Sequence, residues 1–149
     1  NFKDFKIVAS FEMVDNEELQ LIGTEEDLVD SVVRSPDLIE EGLKILEREK
    51  PTKSGVIDLY AKDSDGAKVA LEFKRGKATL SAVGQLSRYV KELEKKKDVD
   101  IRGILVAPKI TSGALRLLKD EGLEYVRVKE ATESEDIVYD KNQRRIREY

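Results

Sequence analysis

The segment from Gly55 to Lys74 leaves this chain few folding options, because it spells two alternating runs around a reversal. Between Gly55-Val56-Ile57-Asp58 and Leu71-Glu72-Phe73-Lys74 lies Lys62-Asp63-Ser64-Asp65-Gly66-Ala67. Asp, Ser and Gly favour a turn, and Gly66 suits the left-handed position that closes a type I turn in a hairpin. Ile57, Leu59 and Ala61 fall on one face with Val69, Leu71 and Phe73. Val56, Asp58 and Tyr60 fall on the other with Ala70, Glu72 and Lys74. A loop over residues 63–67 places Asp58 directly opposite Glu72, with Cβ atoms roughly 5 Å apart.

Carboxylates that face each other repel, so the pair calls for a cation. Lys74, two residues on and on the same face, supplies one positive charge, and a divalent metal would supply the rest. Mg²⁺ takes one or two carboxylates and leaves its other positions to water and phosphate oxygens. Such a site polarises a phosphodiester and lowers the pKa of a bound water, which Lys74 would orient or deprotonate. Asp, Glu and Lys on an exposed hairpin also form ordinary solvated salt networks. Spacing alone leaves both readings open.

The residue types that are missing narrow the chemistry. With no Cys and no His, a cysteine nucleophile, a Ser-His-Asp triad and His- or thiolate-ligated zinc are excluded, as are nucleases that depend on His. A hydrolase of this composition must use carboxylates, lysine and a hard metal. The 149 residues, 40% hydrophobic and 39% charged, suffice for one sizeable core. The formal charge of −4 argues against general adhesion to nucleic acid, so DNA contact requires a local basic patch. Lys74, Arg75, Lys77, Arg88 and Lys91 form one, with Arg75, Lys77 and Arg88 as phosphate contacts. No signal peptide and no run of 18 apolar residues is present, which points to a cytoplasmic protein that does not enter a membrane. The first residue is Asn, as in a fragment or a processed chain.

In chain order, residues 5–13 alternate Phe5, Ile7, Ala9, Phe11 and Met13 against polar neighbours, a strand pattern followed by linker-like Val14 to Glu18. Thr24 is a good helix N-cap, Asp27 gives a weak capping box, and Leu28, Val32 and Val33 form a buried stripe that Ser35-Pro36 stops. Glu25 and Glu26, in the first turn of that helix, complement its dipole. Residues 36–42 read as a short helical turn closed by Gly42, and Leu43 to Arg48 as a strand ahead of Pro51. A long helix runs from about Thr79 to Lys97, with the stripe Leu80, Val83, Leu86, Val90 and Leu93; Gln85 and Tyr89 stand on its rim. The apolar run Gly103 to Pro108 is a strand buried on both faces. Thr111 caps a helix to Glu121, and Leu123 to Val128 is a last strand. Alternating elements of this kind imply an α/β fold with a mixed sheet flanked by helices.

Gly55-x-x-Asp58, Glu72-x-Lys74 and Gln85-x-x-x-Tyr89, in order within 35 residues, resemble the signature of RecB-like nucleases in the PD-(D/E)XK superfamily. The likeness is closer still to the C-terminal catalytic domain of the NucS/EndoMS endonucleases. It is carried by Gly23-Thr24-Glu25, Ser35-Pro36-x-Leu38-Ile39-Glu40-Glu41-Gly42, Arg48-Glu49-Lys50-Pro51, Val83-x-Gln85-Leu86-x-Arg88-Tyr89-Val90 and Arg102 to Pro108. The resemblance implies a restriction-endonuclease-like fold over residues 20–129, with 1–19 a remnant of a preceding domain or linker and 130–149 a flexible charged tail. It further implies a DNA-repair endonuclease using Mg²⁺ or Mn²⁺ on mismatched, branched or single-stranded DNA, a homodimer when full length. By position, Asp58, Glu72 and Glu25 would be metal ligands, with Glu26 the fallback for Glu25. Lys74 would stand beside the attacking water, and Gln85 and Tyr89 would line the site. The alternatives are a related nuclease for flaps, junctions or foreign DNA, and a nuclease-fold module that binds DNA or a partner without chemistry. Gln143, Ile146 and Tyr149 are similar to a sliding-clamp peptide lacking its second aromatic; a frayed charged tail is the other reading.

Overall fold

A computed structural model describes residues 14–21, 23–130, 137–138 and 147–148. The strands β1 (Val14–Leu21), β2 (Lys44–Thr52), β3 (Gly55–Lys62), β4 (Lys68–Phe73), β6 (Ile101–Ala107) and β8 (Glu124–Glu130) form one six-stranded sheet in the order β1-β8-β6-β4-β3-β2. Helices α1 (Glu25–Arg34), α2 (Leu80–Lys97) and α3 (Ser112–Asp120) connect them. β1, β8, β6 and β4 run parallel, and β3 and β2 extend the sheet antiparallel from β4. The sheet is therefore mixed and flanked by helices, the restriction-endonuclease-like α/β arrangement. Two short strands, β5 (Lys77–Ala78) and β7 (Lys109–Ile110), pair parallel beyond the carboxyl ends of β4 and β6. A two-residue bridge joins β9 (Ile137–Val138) to β10 (Arg147–Glu148).

The sheet has two buried faces. On one, α2 and α3 cover a cluster with Tyr60, Ala70, Leu105 and Tyr125. On the other, α1 covers Leu59, Leu71, Phe73, Ile104 and Val106. The alternation along β4 and β6 thus feeds two cores, which is why neither strand shows a polar face. The hairpin turn lies at residues 63–67, as read. Asp63 N–H donates to Ala67 O at 2.9 Å, and Asp63 Oδ1 accepts from Asp65 N–H and Ala67 N–H at 3.0 and 2.8 Å. Gly66 takes the left-handed φ of +91°. Arg102 pins this end of the sheet, its guanidinium meeting Glu40 at 2.7 Å, Asp63 at 2.8 Å and Glu124 at 2.7 Å.

Several readings need correction. Val14 to Glu18 is not linker but the start of β1, paired with β8. Its polar residues suit an edge strand, which has a neighbour on one side only. β2 does not end at Arg48; it continues through Pro51 to Thr52 and makes a second hairpin with β3. Proline is admissible there because β2 is the edge of the sheet. Ile57 joins the cluster under α2 rather than the face of Leu59. The last β3–β4 rung is Leu59–Leu71, and beyond it β3 is no longer bound to the pleat of β4. Leu80, at the open start of α2, is 55% exposed instead of part of the stripe. Residues 5–13 and the tail residues Gln143, Ile146 and Tyr149 lie outside the described residues. No helix among the described residues is long and apolar enough to cross a membrane.

Candidate active site

The two carboxylates of the hairpin meet where β3 and β4 part. One step past the final rung, Asp58 Oδ2 accepts a hydrogen bond from Phe73 N–H at 2.8 Å, so the side chain fills the place a ladder bond would occupy. Glu72 is 5% exposed and its Oε1 is buried with no hydrogen-bond partner. A solvated salt network is therefore not what the hairpin carries. Burial, and after it the charge of Asp58, pushes the Glu72 carboxyl up to about 8, against the opposing pull of Lys74. Asp58, half-buried, is raised chiefly by burial; the Phe73 amide opposes this, Glu25 adds to it, Lys74 opposes it and Glu49 adds to it. Lys74 continues the parallel register, its N–H donating to Val106 O at 2.8 Å.

α1 brings Glu25 to the edge of this pair. The capping box, with Thr24 N–H to Asp27 Oδ2 at 2.8 Å and Asp27 N–H to Thr24 Oγ1 at 3.1 Å, fixes the first helical turn. Glu25 Oε1 then accepts from Arg75 N–H at 3.1 Å, and Arg75 Nε donates to Gly23 O at 2.6 Å. Glu25 is close enough for its charge to act on both Asp58 and Glu72. Glu26 instead points towards Arg48, which binds Asp30 at 2.7 Å. Among the described residues no three carboxylates gather closely enough to hold a metal by themselves, and Glu25 is engaged by the Arg75 amide.

Gln85 and Tyr89 do come to the site. Tyr89 is buried rather than on the rim, its hydroxyl accepting from Gln85 Nε2. Burial, followed by the charge of Glu72, raises its pKa. The glycine of Gly55-x-x-Asp58 now has a physical role: a Cβ at Gly55, where φ is +141°, would come within 2.8 Å of the Tyr89 hydroxyl. Of the basic residues, Arg75, Lys77 and Arg88 are all exposed, and Arg75 also donates from its Nε to Gly23 O just ahead of α1.

Two residues escaped the sequence reading. Glu92, one turn beyond Tyr89 on α2, accepts from Lys53 N–H at 2.5 Å, Ser54 N–H at 3.2 Å and Ser54 Oγ at 2.9 Å. It ties the helix of Gln85 and Tyr89 to the turn that leads into Gly55, and its i+7 spacing from Gln85 was the available signal. Glu49 sits between the rungs Arg48–Leu59 and Lys50–Ile57, across from Asp58, with a left-handed φ of 55°. Nothing in its sequence context announces that conformation.

The donor set suits a hard divalent ion. Glu72 offers a buried oxygen with free lone pairs, Asp58 a second carboxylate beside it, and the raised pKa of each marks charge that lacks compensation.

The family model described as the endonuclease NucS C-terminal domain matches residues 24–146. Endonuclease NucS of Pyrococcus abyssi is 49% identical over 111 residues, which are 74% of this chain and 44% of that protein. Endonuclease NucS of Thermococcus kodakarensis is 47% identical over 119 residues, 80% of this chain and 47% of that protein. Among solved structures, an EndoMS–dsDNA complex superposes with a TM-score of 0.69 at 39% identity, covering 85% of this chain and 48% of that one. A repair endonuclease from Pyrococcus abyssi gives 0.68 at 44% identity, covering 72% and 48%. The chain spans less than half the length of these relatives.

Proposed function

Because the chain belongs to the family of endonuclease NucS C-terminal domains, we propose that it is the catalytic part of a metal-dependent DNA endonuclease that cuts mismatched, branched or single-stranded DNA during repair. One observation carries the reading: a buried Glu72 oxygen without a partner, beside Asp58 and one residue removed from Lys74. A buried carboxylate left unsatisfied is costly, and a ligand that supplies positive charge removes the cost.

Asp58 and Glu72 would hold Mg²⁺ or Mn²⁺, with Glu25 joining them once it leaves the Arg75 amide. The bound ion supplies charge stabilisation at a phosphoryl oxygen and a more acidic water. The chain's own residues supply the rest. The Phe73 amide orients Asp58 through its Oδ2. Lys74 places an ammonium next to both carboxylates, where it can hold the attacking water. Gln85 fixes the hydroxyl of Tyr89 over Gly55, and Tyr89 is buried near enough for the charge of Glu72 to act on that hydroxyl.

The relatives named above are endonucleases, and one is solved with double-stranded DNA; this supports DNA as the substrate. Matched, mismatched and splayed labelled duplexes should be incubated with the protein, with Mg²⁺ or with excess chelator. Cutting that needs the metal, prefers the mismatched or splayed duplex and disappears in Asp58→Ala is the expected result. Undiminished cutting in chelator would remove the metal-dependent reading.

A further inference from the structure

We propose that Lys77 and Lys109 form a phosphate-binding pair that holds the DNA backbone beside the catalytic carboxylates, where β5 and β7 lead into α2 and α3. The inference rests on the nuclease reading above and adds to it a second contact site on the DNA.

β5 and β7 form a two-rung parallel ladder in which Lys77 stands in register with Lys109 and Ala78 with Ile110. Thr111 N–H donates to Ala78 O at 3.0 Å and extends the contact. In-register residues of neighbouring strands project to the same face, with the strands roughly 5 Å apart. Two ammonium groups are thereby set side by side, an arrangement that is destabilising unless an anion joins them. Both lysines are exposed, and among the described residues neither makes an ion pair. The first turns of α2 and α3 contain no acidic residue.

The charge distribution along the chain points the same way. Although the chain has 31 Asp and Glu, none occurs in residues 73–91 or in residues 101–119. These two segments run on past the carboxyl ends of β4 and β6 and bear the ladder. A chain with a formal charge of −4 thus sets two stretches without acidic residues next to the site, and Lys77 and Lys109 are exposed on them. Lys77 is three residues past Lys74, Lys109 is three past Val106, and Lys74 N–H is bonded to Val106 O at 2.8 Å. Both lysines therefore spring from the same rung as the proposed catalytic lysine. A polyanion with regularly spaced phosphates fits such a pair; neutralising each phosphate releases condensed counterions, which is where the affinity comes from. Lys109 escapes a reading of the basic run around Lys74 because only the β5–β7 pairing brings it there.

The test measures binding of a labelled splayed duplex across a range of salt concentrations, in chelator so that nothing is cut. It compares the wild type, Lys109→Ala, Lys77→Ala/Lys109→Ala and, as a control that is also exposed, at the far end of α2, Lys96→Ala. One lost phosphate contact should lower the slope of log K against log salt by about 0.9, and the affinity by roughly eightfold at about 0.1 M salt. The double variant should show about twice the change in slope, and Lys96→Ala none. Wild-type affinity and slope in Lys109→Ala, alongside normal wild-type binding, would overturn the pair and leave the nuclease reading intact. The same loss in Lys96→Ala would also overturn it, by showing that any surface lysine serves. A wild-type protein that neither binds nor cuts DNA would remove the nuclease reading and the pair with it.

Discussion

Replacing Glu72 by Gln should remove a loss of stability that the wild type suffers as pH rises. In the metal-free fold the Glu72 carboxyl is pushed from its ordinary 4.5 up to about 8 by burial and by Asp58. A carboxyl whose folded pKa is raised favours the folded state while protonated. Its contribution is complete below about pH 4.5 and is lost as pH rises through about 8. At about 1.4 kcal/mol per unit, the loss between about pH 5 and about pH 9 is about 4 kcal/mol. For a domain of this size that corresponds to a fall in melting temperature of roughly 10 °C. Gln is nearly isosteric and does not titrate, so Glu72→Gln should be less stable than wild type or equal to it near pH 5, and more stable near pH 9. Groups too far away to feel the Glu72 charge cancel in the difference. Urea unfolding in chelator at several pH values measures it, and adding Mg²⁺ should stabilise the wild type but not the variant. Wild-type and variant stabilities that run parallel across this range would refute the claim that Glu72 is buried without compensation.

Other consequences follow from single contacts. Lys74→Arg keeps the charge, but a guanidinium is broader and does not give up its proton near neutral pH; cleavage should fall severely while DNA binding persists, as single-turnover assays and anisotropy would show. Gly55→Ala brings a methyl within 2.8 Å of the Tyr89 hydroxyl at an unfavourable φ, so it should lose about 1–3 kcal/mol of stability, partly restored in Gly55→Ala/Tyr89→Phe; a purely additive double mutant would contradict the contact. Glu92→Ala removes the acceptor of three hydrogen bonds from Lys53 and Ser54, and amide exchange should quicken at those two turn residues well before it does in β3. A peptide spanning Gln143 to Tyr149 should bind a cognate sliding clamp and lose that binding in Ile146→Ala/Tyr149→Ala; equal titrations would remove the clamp from the partners of this segment.

The elements that the sequence made legible are those whose cause is local. The Asp63–Gly66 turn makes its own hydrogen bonds within five residues. The Thr24–Asp27 box closes within four. The register of β3 on β4 follows from that turn, and with it the meeting of Asp58 and Glu72. What was missed depends on partners distant in the chain. β1 is a strand because β8 lies beside it; by itself, Val14-Asp15-Asn16-Glu17-Glu18 has linker composition. β2 passes through Pro51 because no strand lies on its outer side. Tyr89 was placed on the helix rim by its spacing, yet the absence of a side chain at Gly55 opens the space that buries it.

The two ends of β4 and β6 show why the site is where it is. At one end Arg102, with 27% of its side chain exposed, meets Glu40, Asp63 and Glu124, and every charge finds a partner within 2.8 Å. At the other end Glu72 lies deeper, 5% exposed, and one of its oxygens has none. The chain can evidently satisfy a partly buried charge in this sheet by folding three acidic segments around it. Around Glu72 the compensation is weaker: burial and the charges of Asp58 and Glu25 push its carboxyl up, and the charge of Lys74 and the Asp58 backbone amide only partly oppose them. Local packing does not explain the contrast, since the same strands carry both ends. A fold that leaves one oxygen of a buried carboxylate without a partner while satisfying its counterpart gains stability from a cation at that position, and this supports the proposed metal dependence.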